Sequence, residues 1–351
     1  MQDIELEQAI DLLLAHTVPV RETERVPLLD AVGRTAAEEV RAGFDNPPFD
    51  RSPLDGYTFA AASTRTAAAE HPVCLHVIGE ECAGEFFTGA VGAGECVRIM
   101  TGGAIPKGCD CVVRQEDVRE DGDVIHVPFS SEPYENYCYA GEDIKKGTLL
   151  VLKGQAITAA HIAVLASEGY GDVLVYRRVR VAVASTGDEL LQPGEPLQPG
   201  RIYNSNLYLI AGRLKELGAE VMVLGAVPDD IERAAEVIAS YAEHVDLFLT
   251  SGGVSVGKKD IMHGVVPALG AERLFWRVCM KPGAPAIAYT RGAMLGIALS
   301  GNPFAAYATF ELMARPVLAR LSGRSEVLLH RRHAVLADAF PKDCPGRRFL
   351  R

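Results

Sequence analysis

The pattern of apolar and polar positions changes its grammar three times along the chain. Near the start, Leu6, Ile10, Leu13 and Leu14 recur at helical spacing, with acids ahead of them where a helix N-terminus favours negative charge. A second short helix is expected over Asp30–Val40. From Asp45 to Tyr57 the chain becomes rich in Pro and Asp, the composition of a loop with defined turns. Between about Phe59 and Gly141, short apolar stretches are separated by glycine. Val73–Ile78, Glu95–Ile99, Cys111–Val113 and Val124–Val127 predict the strands of a small β-rich insert. Gly147 to Tyr176 returns to mixed structure, with a helix expected at Ala159–Glu168.

The region Val179–Ser322 alternates strand and helix. Strands are expected at Val179–Ala184, Glu220–Ala226, Asp246–Thr250, Leu274–Cys279, Ala286–Tyr289 and Ala293–Leu299. Helices are expected at Asn206–Leu217 and Ile231–His244, and from Pro303 onward with Asn302 as the cap. Near-continuous apolar strands in this alternation predict a doubly wound, mostly parallel α/β sheet. The expected fold class is therefore α/β multidomain: that α/β domain, a β-rich inserted domain and a discontinuous mixed α+β domain.

Composition narrows the function. With 351 residues, about two to three domains fit. Apolar residues at 48% and charged residues at 23% exclude a disordered chain. A net charge of −11 argues against a nucleic-acid partner, although a local site can still oppose the global field. The eight cysteines form no Cys-x-x-Cys pair, which argues against a zinc knuckle and for free thiols in a cytoplasmic setting. The acidic N-terminus lacks the basic start of a signal peptide, and no apolar run reaches the roughly 20 residues that span a bilayer. The histidines show no ligand spacing, and no Gly-x-Ser-x-Gly elbow is present.

Ligands of a doubly wound sheet bind outside the carboxyl ends of its strands. The segments that follow the strands are Ser185-Thr186-Gly187-Asp188-Glu189, Val227-Pro228-Asp229-Asp230, the run Thr250 to Asp260, and Ser300-Gly301-Asn302-Pro303. Together they gather carboxylates, hydroxyls and glycines. Glycines permit close backbone approach to a phosphate, and acids can hold Mg²⁺ between phosphate oxygens. The simpler reading of Asp230 is an N-cap, and that of Asp50 and Asp110 is turn chemistry. The run Ser-Gly-Gly-Val-Ser-Val-Gly ending at Asp260 is the most specific of these features. Arg277 and Lys281 lie near the later strands, where Lys281 at a turn gains meaning as an electrostatic clamp on an anion.

Seven runs in order resemble the molybdopterin molybdenumtransferase family, that of MoeA and the gephyrin E domain. They are Pro48-Phe49-Asp50 through Asp55-Gly56-Tyr57, Arg98-Ile99-Met100-Thr101-Gly102, Gly141-Glu142-Asp143, Ser185 to Leu190, Thr250 to Asp260, Lys281-Pro282-Gly283, and Ser300-Gly301-Asn302-Pro303. The resemblance implies an elongated homodimer that inserts molybdate into adenylylated molybdopterin with release of AMP, dependent on Mg²⁺. It implies that Glu189, Asp229 and Asp260 hold the metal, that Arg277 and Lys281 attract the anion, and that Asp55 and Thr101 come from the partner copy. Ser185, Thr186, Gly187, Ser251, Gly252, Gly253, Ser255, Gly257, Pro282, Gly283, Gly301, Asn302, Pro303 and Arg351 would line the substrate site. An upstream adenylyltransferase and downstream molybdoenzymes are implied as partners.

The chain also departs from the family pattern. Ala284 stands where a second Lys is usual, Ser300 and Ala305 replace a Pro and a Ser, and Tyr139-Ala140 stand before Gly141-Glu142-Asp143 in place of an Arg. These changes thin the positive charge and leave the acids. They keep open a catalytically weak pterin-binding paralogue, a tungstate-inserting homologue, or another Mg²⁺-dependent enzyme of a nucleotide-activated anion. The resemblance implies domains at 1–48 with 142–177, 49–141 and 178–326. It further implies the start of a C-terminal β domain at 327–351, cut short with an unpaired strand edge.

Overall fold

The computed structural model describes every residue except 83, 256, 258, 259, 336, 339–345 and 351. The chain divides into two compact units. One comprises residues 1–39, 151–163 and 170–351; the other comprises 40–150 and 164–169.

The first unit is built on a seven-stranded sheet. Its strands are β1 (Gln2–Ile4), β2 (Arg180–Thr186), β3 (Glu220–Val227), β4 (Leu247–Ser251), β5 (Glu272–Val278), β6 (Ile287–Arg291) and β7 (Met294–Leu299), in the order β1-β5-β6-β7-β4-β2-β3. All neighbours run parallel except β6, which is antiparallel to both β5 and β7. The sheet is thus mostly parallel, as the alternation predicts, with β6 its one antiparallel strand. Gly292 between β6 and β7 takes a positive φ and lets the chain reverse in a tight hairpin, where no crossover helix fits.

Both faces of this sheet are covered, which the two-residue pleat makes visible. Val181 and Val183 of β2, with Leu247 and Leu249 of β4, enter one core; Ala182, Ala184 and Phe248 enter the other. Helices α1 (Leu6–Ala15), α2 (Ser205–Glu216), α3 (Ile231–Tyr241), α4 (Met262–Ala268), α5 (Pro303–Thr309) and α6 (Arg315–Leu321) accompany it. Helix α2 buries Leu207, Ile210, Ala211 and Leu214, one stripe at helical spacing. Asn204 caps it by accepting from the Leu207 N–H, as Asp230 caps α3 from Arg233 and Asn302 caps α5 from Ala305. At the amino ends of β2 and β4, Arg177 grips Asp246 through two bonds of 2.8 Å, and the Arg180 N–H adds a third at 2.8 Å.

The expected helix over Asp30–Val40 is absent. In its place stand a single 3₁₀ turn, Leu28–Ala31, and a two-residue strand, Val40–Arg41. Gly33 takes a left-handed φ there, and Thr35 and Ala36 form isolated bridges with Ala156 and Val175. Strand β1 was not anticipated. Three residues carry no periodicity, and β1 is fixed only by its parallel register against β5. Arg347–Arg348 lies parallel to Met280–Lys281 in a two-stranded sheet, so Lys281 sits in a short strand and not in a turn.

The second unit holds a six-stranded sheet in the order Cys111–Arg114, Gly56–Phe59, Glu95–Ile99, Val73–Glu81, Val124–Val127, Arg119–Asp121. Only Val73–Glu81 and Glu95–Ile99 pair in parallel. Its core is Tyr57, Phe59, Leu75, Cys96, Cys111, Val113, Ile125 and Val127. Burial pushes the Cys96 and Cys111 thiols up to about 12, so both act as small hydrophobes. The seven described cysteines are free, and Cys344 lies outside the described residues.

One cross-strand pair tests the central packing. Gly296 of β7 faces Tyr289 of β6, and a Cβ at Gly296 would lie 2.1 Å from the fully buried Tyr289 ring. Gly296→Ala is expected to lose about 1–3 kcal/mol of stability in urea unfolding, with the unfolding slope unchanged.

Candidate functional site

Strand β2 leads through α2 to β3 on one side, while β4 lies on its other side. The carboxyl ends of β2 and β4 therefore flank the switch point of the sheet, where a crevice opens without any element having to bend. A crevice of about 350 Å³ lies there.

Its lining joins the start of α2, through Asn204 and Asn206, to four segments that follow strands and are distant in sequence. Ser185, Thr186, Gly187 and Glu189 follow β2; Asp229 follows β3; Ser251, Gly252, Gly253, Ser255 and Asp260 follow β4; Gly301 and Pro303 follow β7. The loop after β4 presses directly on the end of β2. A Cβ on Gly252 would lie 2.6 Å from the Thr186 carbonyl oxygen, and one on Gly253 would lie 2.8 Å from Thr186 Oγ1. Both glycines also take positive φ, so two independent constraints forbid a side chain. The Gly252 N–H donates to the Leu299 carbonyl and the Met262 N–H to the Gly253 carbonyl, which ties this loop to β7 and α4.

The three acids enter from different directions. Glu189 folds its carboxylate over Gly187, whose Cβ would meet Glu189 Oε1 at 2.7 Å. Asp229 accepts from the Asp188 N–H at 3.3 Å. Asp260 accepts from the Gly257 N–H at 2.5 Å. Among the described residues no three His, Cys, Asp or Glu side chains converge as a ready-made metal cluster.

Several expected residues lie outside this lining. Asn302 turns back to cap α5. Arg277, at φ 67°, pairs its Nε with Asp3 of β1 at 3.0 Å and lies over the Trp276 ring. Lys281, Pro282 and Gly283 follow β5 and do not line the crevice either. No Lys or Arg is among the described lining residues. Arg351 lies outside the described residues. Ala284 uses its carbonyl to accept from the Val278 N–H.

Two asparagines of the lining were missed. Asn206, at the first turn of α2, donates through Nδ2 to Ser251 Oγ at 2.9 Å and to the Gly301 carbonyl at 2.8 Å. It thereby joins the loops after β4 and β7. Asn204 Oδ1 accepts from Ser185 Oγ at 3.0 Å. The run Tyr203-Asn204-Ser205-Asn206 carried the signal, since two amides at a helix start exceed what one cap requires.

In the second unit, Asp55 Oδ1 accepts from both the backbone N–H and the hydroxyl of Thr101, each at 2.7 Å. The backbone donor foremost, then the hydroxyl, hold the Asp55 carboxyl below its ordinary range, so it stays ionised at neutral pH. Asp50 and Asp110 do turn work: Asp50 accepts from Tyr137 and the Ala140 N–H, and Asp110 from the Ala61 N–H. Tyr139 packs against the rings of Tyr134 and Tyr137.

Comparison with known proteins places this geometry. Residues 4–169 match the family model described as the MoeA N-terminal region (domain I and II), and residues 182–320 match a probable molybdopterin binding domain. The chain is 37% identical to the molybdopterin molybdenumtransferase of Bacillus subtilis over 347 residues, covering 96% of this chain and 80% of that protein. Identity to the molybdopterin molybdenumtransferase of Staphylococcus aureus is 38% over 329 residues, covering 93% and 78%. The crystal structure of the molybdopterin biosynthesis MoeA protein from Pyrococcus horikoshii superimposes with a TM-score of 0.80 at 33% identity, covering 92% of this chain and 81% of that one. Matched in both regions, and at this identity over most of both chains, the protein belongs to the molybdopterin molybdenumtransferase family, a family of transferases.

Proposed function

We propose that this transferase works in molybdenum cofactor biosynthesis, inserting molybdate into adenylylated molybdopterin with release of AMP. The observation that carries the reading is the crevice at the switch point, where Glu189, Asp229 and Asp260 meet a glycine loop that no side chain can occupy. The glycine loop brings backbone close to a phosphate, and the hydroxyls of Thr186 and Ser255 offer donors to its oxygens. Glu189, Asp229 and Asp260 would hold Mg²⁺, which when bound offsets phosphate charge and orients the phosphoanhydride. The rest of the task is positioning, which rigid strand ends do well and which needs no covalent nucleophile.

Three further parts belong to the proposal. Arg277 and Lys281 attract the oxyanion or the pterin phosphate. The protein acts as a homodimer, with Asp55 and Thr101 serving the substrate bound by the other copy. It acts in the cytosol on a pterin nucleotide supplied by an adenylyltransferase. No described helix is long and apolar enough to cross a membrane. The domain division at 1–48 with 142–177, 49–141, 178–326 and 327–351 is likewise part of this reading.

A second reading has one observation in its favour. The described crevice lining lacks Lys and Arg, and Ala284 adds no charge. On that reading the protein holds the adenylylated pterin without turning it over.

Adding molybdate to the pure protein with adenylylated molybdopterin and Mg²⁺ is expected to release AMP, read by chromatography. Glu189→Gln is expected to slow release by about a hundredfold or more. Tight pterin binding with no AMP above the buffer control selects the second reading, and neither binding nor release refutes both. Co-expression of Asp55→Asn with Glu189→Gln tests the shared site. Each is expected to be inactive alone, and the mixture to recover roughly a quarter of wild-type turnover, because half the dimers are hybrids with one intact site. No recovery in a proven hybrid dimer removes the trans arrangement.

A further inference from the structure

A second cavity, of about 400 Å³, lies within the first unit and shares no lining residue with the crevice. Its wall includes Thr158, His161, Arg315, Ser322, Arg324 and Ser325. The charge balance around it is uneven. Glu311 serves two guanidiniums: it accepts from Arg213 Nε at 2.7 Å and from Arg315 Nη1 at 3.0 Å. Arg213 also pairs with Glu216. Among the described residues Arg324 has no carboxylate partner: its hydrogen bond goes to the Gly33 carbonyl at 3.4 Å, and its Nε is buried without a described partner. Arg315 is thus matched by Glu311, while Arg324 stands unmatched among the described residues. The one acid among the described wall residues, Glu326, lies 3.4 Å from His330, an ion pair only when that ring is protonated.

This is a costly arrangement for an unliganded protein. Burial, and then the like charge of Arg315, push the Arg324 guanidinium below its ordinary range. A half-buried cation facing another cation loses hydration without gaining a counter-charge. In a chain with a net charge of −11, carboxylates are abundant, yet none of the described ones is placed against Arg324. Thr158 and His161 lie on the same wall as the two guanidiniums. His161 Nδ1 accepts from the Thr158 N–H at 3.0 Å, so in the neutral ring Nε2 carries the proton and is a further donor.

We propose that this cavity is a second ligand site that binds a tetrahedral oxyanion through Arg315 and Arg324, either free phosphate or the phosphate group of a small monoester. Guanidinium forks match such an anion, and the His161 Nε2–H can add a neutral donor to its shell. The cavity exceeds a bare phosphate in volume, which favours the monoester.

Isothermal titration of the full chain with inorganic phosphate and, separately, with glycerol 3-phosphate tests this. Both are expected to bind, and tighter binding of the monoester assigns the site to esters. Arg324→Gln is expected to weaken binding about tenfold or more, the loss of one charge-assisted contact. Because it removes an uncompensated cation, this variant is also expected to melt no lower than wild type without ligand. Should Arg324→Gln fold poorly, Arg315→Gln, whose partner Glu311 keeps Arg213, reads the same loss. Phosphate and monoester affinities unchanged in the folded variant overturn the proposal, as does no binding by the wild type.

Discussion

The close approach of the loop after β4 to the end of β2 is the contact on which the site depends. Two residues without side chains let backbone lie against Thr186, and no other residue type fits there. The approach places the ends of two parallel strands side by side and leaves a crevice between them. Everything chemical then follows from which residues happen to leave the strands at that level: Glu189 after β2, Asp229 after β3, Asp260 after β4. The Arg177–Asp246 grip at the other end of the same two strands keeps them in register, so the crevice inherits its shape from the sheet.

Much of this was legible in the sequence because it rests on strong local signals. The strand–helix alternation, the caps at Asp230 and Asn302, and the Gly252-Gly253 pair each express one physical requirement in one or two residues. What was not legible rests on distant partners. Strand β1 has no pattern of its own and exists because β5 offers an open edge. The expected helix over Asp30–Val40 failed because Gly33 and the bridges of Thr35 and Ala36 draw the backbone elsewhere. Asn206 was passed over because its role is to join Ser251 and Gly301, which lie far from it in sequence.

Charge is where this chain differs most from its expected pattern. The acids stand in the crevice, while Arg277 is engaged by Asp3 and Trp276. Arg315 is matched by Glu311, whereas Arg324 has no carboxylate partner among the described residues. An acidic protein that handles anions must concentrate its cations locally, since its global field repels them.

The central claim is that the crevice holds the nucleotide phosphate beside a divalent cation. A crystal structure of the full chain with AMP and Mn²⁺, read by anomalous scattering, tests it most directly. The account predicts the AMP phosphate against Gly252 and Gly253, with the manganese peak ligated by at least two of Glu189, Asp229 and Asp260. AMP bound elsewhere, or a metal peak remote from all three acids, would contradict it.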